Sequence, residues 1–291
     1  MKHKYSGKII AATTVLTVIF SLAPFFPAPT VLAEPLGSIS GQKFHDFNDN
    51  GVKDNGEPGL AGWTINLSGT ASTSTITDDD GNYSFTGLDD GEYNVCEALQ
   101  AGWKQTKPDS GEENCADSAF GYNAIIEGNN ITGNDFGNLH LGKIIIQKET
   151  LPDGDEQSFD FTVSYNDDGF ALSDDQSNDS GFLVPDTYSV SEIAPGGWDL
   201  TSATCDDGSE PDSIELDPGE NIVCVFTNTK RASLTIEKFS DPDNGSSQFD
   251  LTGPEQDNIP AQYVFNPSGV WDIENLLQGA YSLAETILDP E

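Results

Sequence analysis

Positive charge is scarce in this chain. Lys and Arg number 12 against 49 Asp and Glu, a formal net charge of −37 over 291 residues. A surface of that sign repels nucleic acid and anionic lipid and draws in divalent cations. Histidine is nearly absent, with only His3, His45 and His140, which leaves little for imidazole catalysis or a His-rich metal centre. No Cys/His metal spacing, phosphate-cradling glycine loop or nucleophile elbow occurs. Carboxylates are plentiful, but they sit in acidic turns without a framework that would set a glycosidase pair apart. These absences point away from an enzyme. Beyond residue 33 there is also no apolar run of the roughly 20 residues a membrane helix needs.

The N-terminus has what the rest lacks. Lys2, Lys4 and Lys8 precede an apolar stretch from Ile9 to Phe26, and Val31-Leu32-Ala33 places small residues before Glu34. That is the layout of a cleaved signal peptide over residues 1–33 and predicts a secreted, extracellular or cell-surface protein. Cleavage would leave 9 basic and 49 acidic residues, a net charge of −40. Export permits disulfides, and four cysteines allow three pairings. Cys96 with Cys115 and Cys205 with Cys224 each span 19 residues, so these two pairings are expected. Each would be worth roughly 3 kcal/mol in the chain-entropy account. Free buried thiols are the competing reading.

Asp46 to Glu57 reads Asp-Phe-Asn-Asp-Asn-Gly-Val-Lys-Asp-Asn-Gly-Glu. Oxygen side chains fall at positions 1, 3, 5, 9 and 12, with Gly51 at position 6, the spacing of an EF-hand calcium loop. Asp46, Asn48, Asn50, Asp54 and Glu57 would ligate through side chains and Val52 through its carbonyl. Ca²⁺ is the expected ion, since it accepts about six to eight oxygens in loose geometry. The flanks alternate like strands, so no EF-hand helices are expected. An ion-free Asn/Gly turn is the plainer alternative.

Period-two alternation and Gly/Pro turns recur to the end of the chain, giving an all-β class. Three stretches repeat one plan: residues 34–140, 141–231 and 232–291. Each opens with a strand ending in Lys (Lys43, Lys148, Lys238). Each later turns into Tyr-x-[Val/Leu]-x-Glu, ending in Glu97, Glu192 and Glu285. The first two close on Phe-x-Asn, at Asn138 and Asn228. The third stops six residues past Glu285, so it is expected to lack its last strands. Strand parity puts Lys148, Glu192 and Asn228 on one core-facing side. Burial would neutralise the amine and let it attack the Asn228 carboxamide while Glu192 moves the proton, yielding an isopeptide bond. An ordinary Lys148–Glu192 ion pair is the alternative.

The first stretch resembles the B-type repeat of serine-aspartate repeat surface proteins. The resemblance rests on Gly41 to Leu60, Thr77-Asp-Asp-Asp-Gly-Asn-Tyr-Ser-Phe85 and Leu88-Asp-Asp-Gly-Glu-Tyr-Asn-Val95. Residues 141–231 and 232–291 resemble the prealbumin-like, collagen-adhesin B-type modules of Gram-positive adhesins and pilins. This implies tandem prealbumin-like or Ig-like antiparallel β-sandwich modules of about seven strands. It also implies a non-enzymatic stalk or adhesin stiffened by calcium or isopeptide bonds, and a second calcium near Asp78 and Asp80. Neither a Leu-Pro-x-Thr-Gly anchor nor a Ser-Asp repeat is present, which leaves wall attachment open. Two other readings stand beside this one. In one, Trp63, Trp103 and Trp198 stack on a glycan or on a host or matrix protein. In the other, these are accessory domains of an enzyme continuing past Glu291.

Overall fold

The structure is a computed structural model that describes residues 1, 36–110, 115, 119–240, 245–254 and 262–288. The expected signal segment lies outside the described residues apart from Met1. Among the described residues there is no helix, and none long and apolar enough to cross a membrane.

The first group of strands is β1 Gly37–His45, β2 Thr64–Gly69, β3 Thr73–Ile76, β4 Asn82–Leu88, β5 Gly91–Glu97, β6 Trp103–Lys107, β7 Tyr122–Ile126, β8 Asn130–Ile131 and β9 Phe136–His140. One sheet runs β4-β1-β9-β6, with β8 also on β1, and the other runs β3-β2-β5-β7. Alternation decides which side chains are enclosed. Ile65 and Leu67 of one sheet meet Ile39, Phe85 and Phe136 of the other, all buried. Each such side chain contributes about 1.5–3 kcal/mol.

The second group is β10 Lys143–Leu151, β11 Phe159–Val163, β12 Asn166–Leu172, β13 Ser177–Asp179, β14 Asp186–Tyr188, β15 Val190–Ile193, β16 Trp198–Cys205, β17 Ile214–Leu216 and β18 Asn221–Lys230. Its sheets are β13-β10-β18-β16, β12-β11-β15 and β14-β17 around a core that includes Ile146, Phe161 and Phe226. The third is β19 Ala232–Lys238, β20 Ser246–Thr252, β21 Gln262–Phe265, β22 Gly269–Leu276 and β23 Ser282–Leu288. They pair as β19-β22 and β21-β20-β23 around Phe249, Phe265 and Trp271.

The β-sandwich modules that the resemblance implies are present, most of their strand pairs antiparallel, with parallel pairs among them. β1 pairs with β9, and β10 with β18, in parallel. These are the first and last long strands of their groups. The intervening chain supplies the long crossover that parallel pairing needs, which a tight hairpin cannot. Both expected disulfides are present, Cys96–Cys115 and Cys205–Cys224. The second ties residues directly opposite each other on β16 and β18.

Candidate functional site

The parallel pairing of first and last strands brings a buried Lys, Glu and Asn together. Lys43 lies opposite Phe136 and His45 opposite Asn138, so Lys43 and Asn138 are offset by two residues on adjoining strands. Glu97 comes from the facing sheet, paired with Ile65 and therefore on the core side of β5. Lys43 Nζ touches Asn138 Oδ1 and lies 2.8 Å from Glu97 Oε2, with the Trp63 ring centroid 4.3 Å away. Lys43 and Asn138 are fully buried and Glu97 almost so.

Burial decides the protonation state here. Desolvation lowers the Lys43 ammonium to about 8 despite the attraction of Glu97, and it raises the Glu97 carboxyl despite Lys43. The buried pair is therefore pushed toward neutral amine and neutral acid. A neutral Nζ against a carboxamide, with a carboxyl to carry protons, is the arrangement for amide exchange. In such an exchange a Lys43 Nζ–Asn138 Cγ bond would form, the Cγ–Nδ2 bond would break, and ammonia would leave with the proton that Glu97 relays. Such an exchange would run once and leave a cross-link.

The triad expected from sequence, Lys148, Glu192 and Asn228, is also buried but more loosely assembled. Asn228 Nδ2 donates to Glu192 Oε1 at 2.6 Å. Lys148 Nζ stands 4.0 Å from Glu192 Oε2 and donates instead to the carbonyls of Glu149 at 2.6 Å and Phe226 at 3.2 Å. Burial lowers the Lys148 amine and raises the Glu192 carboxyl. The backbone carbonyls that hold this amine are what sequence parity cannot show. In the third group Lys238 meets Glu285 at 2.6 Å in a partly exposed pair.

The calcium-type loop is folded by its own side chains. Asp46, fully buried, accepts from the N–H of Asn50 at 3.2 Å and of Gly51 at 2.7 Å. Gly51 makes the turn at φ +70°. Asn48 and Asn50 both donate to Asp54 Oδ2, at 2.9 and 2.8 Å. These bonds hold the Asp54 carboxyl below its usual range. Glu57, buried, accepts from the N–H of Phe47 and of Asp54, each at 2.9 Å. Val52 is exposed at the outer turn. Neither Asp46 nor Glu57 forms an ion pair among the described residues. Two buried carboxylates without a cation, in a set made wholly of oxygen ligands, fit a hard divalent ion. Such an ion would be held by the side chains of Asp46, Asn48, Asn50, Asp54 and Glu57 with the Val52 carbonyl, and it would supply charge neutralisation at the end of β1.

Asp78 serves the β3–β4 turn, accepting from the N–H of Asp80 at 3.1 Å and of Asn82 at 2.7 Å, while the Asp80 carbonyl takes a bond from Gln42 Nε2 at 2.8 Å. The structure therefore gives Asp78 a turn-closing task. Among the described residues, three carboxylates within mutual reach occur only at Asp153, Asp174 and Asp175. Trp63 and Trp198 are 3% and 7% exposed. Trp103 stacks on His140, with ring centroids 4.2 Å apart.

The geometry defines a β-sandwich whose first and last strands meet through a buried Lys, Glu and Asn, and comparison places the chain more closely. Residues 37–140 match the SdrD B-like domain family and residues 144–230 the prealbumin-like fold domain family. The chain thus carries an SdrD B-like domain followed by a prealbumin-like domain, and neither family is one of enzymes. The serine-aspartate repeat-containing protein D of Staphylococcus aureus strain Newman is 28% identical over 200 residues, covering 62% of this chain and 15% of that protein. Protein F of Staphylococcus epidermidis is 33% identical over 88 residues, covering 29% of this chain and 5% of that protein. Among solved structures, the Bacillus anthracis TIE protein overlaps 87% of this chain and 46% of its own, at 19% identity and a TM-score of 0.39. The minor pilin GBS52 of Streptococcus agalactiae overlaps 69% and 99%, at 11% identity and a TM-score of 0.27.

Proposed function

We propose that the chain is a secreted structural or adhesin-type protein of the bacterial cell surface, a stalk of β-sandwich modules stiffened by calcium and by internal amide cross-links. Its modules are residues 34–140, 141–231 and 232–291. The observation that carries this reading is the buried Lys43–Glu97–Asn138 triad. It joins the first and last strands of a module, the two that tension along the chain would pull on. A bond there converts a sheared hydrogen-bonded pair into a covalent path, so the strands between are not unravelled. Kinship with the serine-aspartate repeat-containing proteins and the match to a prealbumin-like domain support a surface role. Calcium in the Asp46–Glu57 loop holds the end of β1 just past the cross-link. Partners are calcium and, at the tip or flank of the stalk, a host or matrix protein or glycan.

The test is the intact mass of the folded, then denatured, chain. One bond removes about 17 Da as ammonia. We expect a deficit located to a Lys43–Asn138 cross-linked peptide, and full mass in Glu97→Ala, which keeps the amine and amide but loses the proton carrier. Full mass at Lys43 in the wild type would refute the cross-link.

A further inference from the structure

The loop from Asp46 to Glu57 contains Asn-Gly twice, at 50–51 and at 55–56. In this dipeptide the glycine carries no Cβ to shield its own nitrogen, which can therefore reach the Asn carboxamide carbon. If sequence alone decided, the two copies would react alike. The fold treats them differently.

Asn50–Gly51 is held at every atom such a reaction uses. The Gly51 N–H donates to Asp46 Oδ2 at 2.7 Å. The Asn50 carboxamide is tied at both ends, Nδ2 donating to Asp54 Oδ2 at 2.8 Å and Oδ1 accepting from the Val52 N–H at 2.7 Å. At Asn55–Gly56 these restraints are gone. Both residues are exposed. Among the described residues, neither the Asn55 side chain nor the Gly56 N–H has a hydrogen-bond partner. A Cβ built on Gly56 would meet nothing within 4 Å. The turn around the pair is closed by the Glu57 N–H donating to the Asp54 carbonyl at 3.3 Å, longer than the usual range for such a bond.

We infer that Asn55 is a self-modification site, at which the Gly56 nitrogen displaces the carboxamide and the residue becomes aspartyl or isoaspartyl. The Gly56 N–Asn55 Cγ bond forms and the Cγ–Nδ2 bond breaks. The proton shed by the Gly56 nitrogen passes through solvent to Nδ2, which leaves as ammonia. The product is a five-membered cyclic imide, and water, the only co-reactant, reopens it. Attack at Cγ gives ordinary aspartate. Attack at the main-chain carbonyl leaves the chain running through Cβ and Cγ, one carbon longer between Asp54 and Glu57. Glu57 closes the loop by accepting from the N–H of Phe47 and of Asp54, each at 2.9 Å. The lengthened chain carries its carboxylate away from those donors, so the isoaspartyl form opens the loop at the end of β1. Neither bound calcium nor a bond at Lys43 takes part, so the site stands whatever becomes of them.

The test holds the full chain at neutral pH and physiological temperature in EGTA, beside a sample denatured in guanidinium chloride. Peptide mass spectrometry should find a gain of about 1 Da at residue 55 of the folded chain. Asn50 should convert at least about tenfold more slowly, as its bonds must open first. In the denatured sample the two should convert at similar rates. Asp46→Ala, which frees the Gly51 N–H, should speed Asn50, and Asn55→Gln should show no gain at 55. In the isoaspartyl fraction the Phe47 amide should exchange at least about tenfold faster. Equal rates at 50 and 55 in the folded chain, or an Asn55 that stays intact while the denatured sample converts, overturns the inference. So does an isoaspartyl fraction whose Phe47 amide remains protected.

Discussion

At the scale of single residues, His45 shows how tightly the end of β1 is packed. Its ring lies 4.1 Å from that of Phe47 and 4.9 Å from that of Trp103. Nε2 is buried with no hydrogen-bond partner among the described residues. Burial lowers its pKa to about 4, with His140 and Lys43 acting in the same direction and Asp46 against them. Between the unfolded value of 6.5 and about 4 the unfolded chain therefore binds a proton that the folded chain refuses. Stability contributed by neutral His45 is full above pH 6.5 and lost as pH falls toward 4. Urea titrations with chelator present, so that calcium release does not intrude, should show the first group losing on the order of 1 kcal/mol over that interval. His45→Phe should flatten the slope. An unchanged slope would mean that another group governs the acid response.

Among the elements, the β3–β4 turn is where the calcium-type loop meets the hairpin. Gly81 has φ +79°, and a Cβ built on it would stand 2.1 Å from the carbonyl oxygen of Lys43. Gly59 is equally confined, its Cβ position lying 1.9 Å from the carbonyl oxygen of Asp80. Gly81→Ala thus meets both an unfavourable φ and a backbone atom that cannot yield, and it should cost about 2–4 kcal/mol in equilibrium unfolding. Gly56→Ala, at φ +99° with open space around it, should cost about 1 kcal/mol. Equal costs would show that conformation rather than crowding sets the penalty.

Elements of this kind are largely legible in the amino-acid sequence. Alternation in Trp63-Ile65-Leu67 and Ile144-Ile146-Lys148 marks strands and their buried faces, and equal cysteine spacing marks both disulfides. How closely each triad assembles is not legible there. Whether Lys148 reaches Asn228 or turns to the carbonyls of Glu149 and Phe226 depends on main-chain positions across three strands. No local pattern encodes that.

Across the whole molecule charge works against the apolar cores. With 49 acidic and at most 12 basic residues, the folded chain repels itself, and every carboxylate brought close in a turn adds to that cost. Asp46 and Glu57 are buried while their charges are balanced by backbone N–H groups alone, so the first group is where a divalent ion gains most. Bound only by the folded loop, calcium at about a hundred times its dissociation constant would add roughly 2.7 kcal/mol. Differential scanning calorimetry in millimolar CaCl₂ and then in EGTA should show the first group's transition falling by several degrees, with the second group's transition nearly fixed. Asp46→Ala should remove the difference between the two conditions. Monovalent salt screens the exposed charges but cannot enter the loop as a ligand for Asp46 and Glu57. Restoring ionic strength with NaCl should therefore recover only part of the loss, and full recovery by NaCl would make the calcium effect one of general screening, with no site behind it.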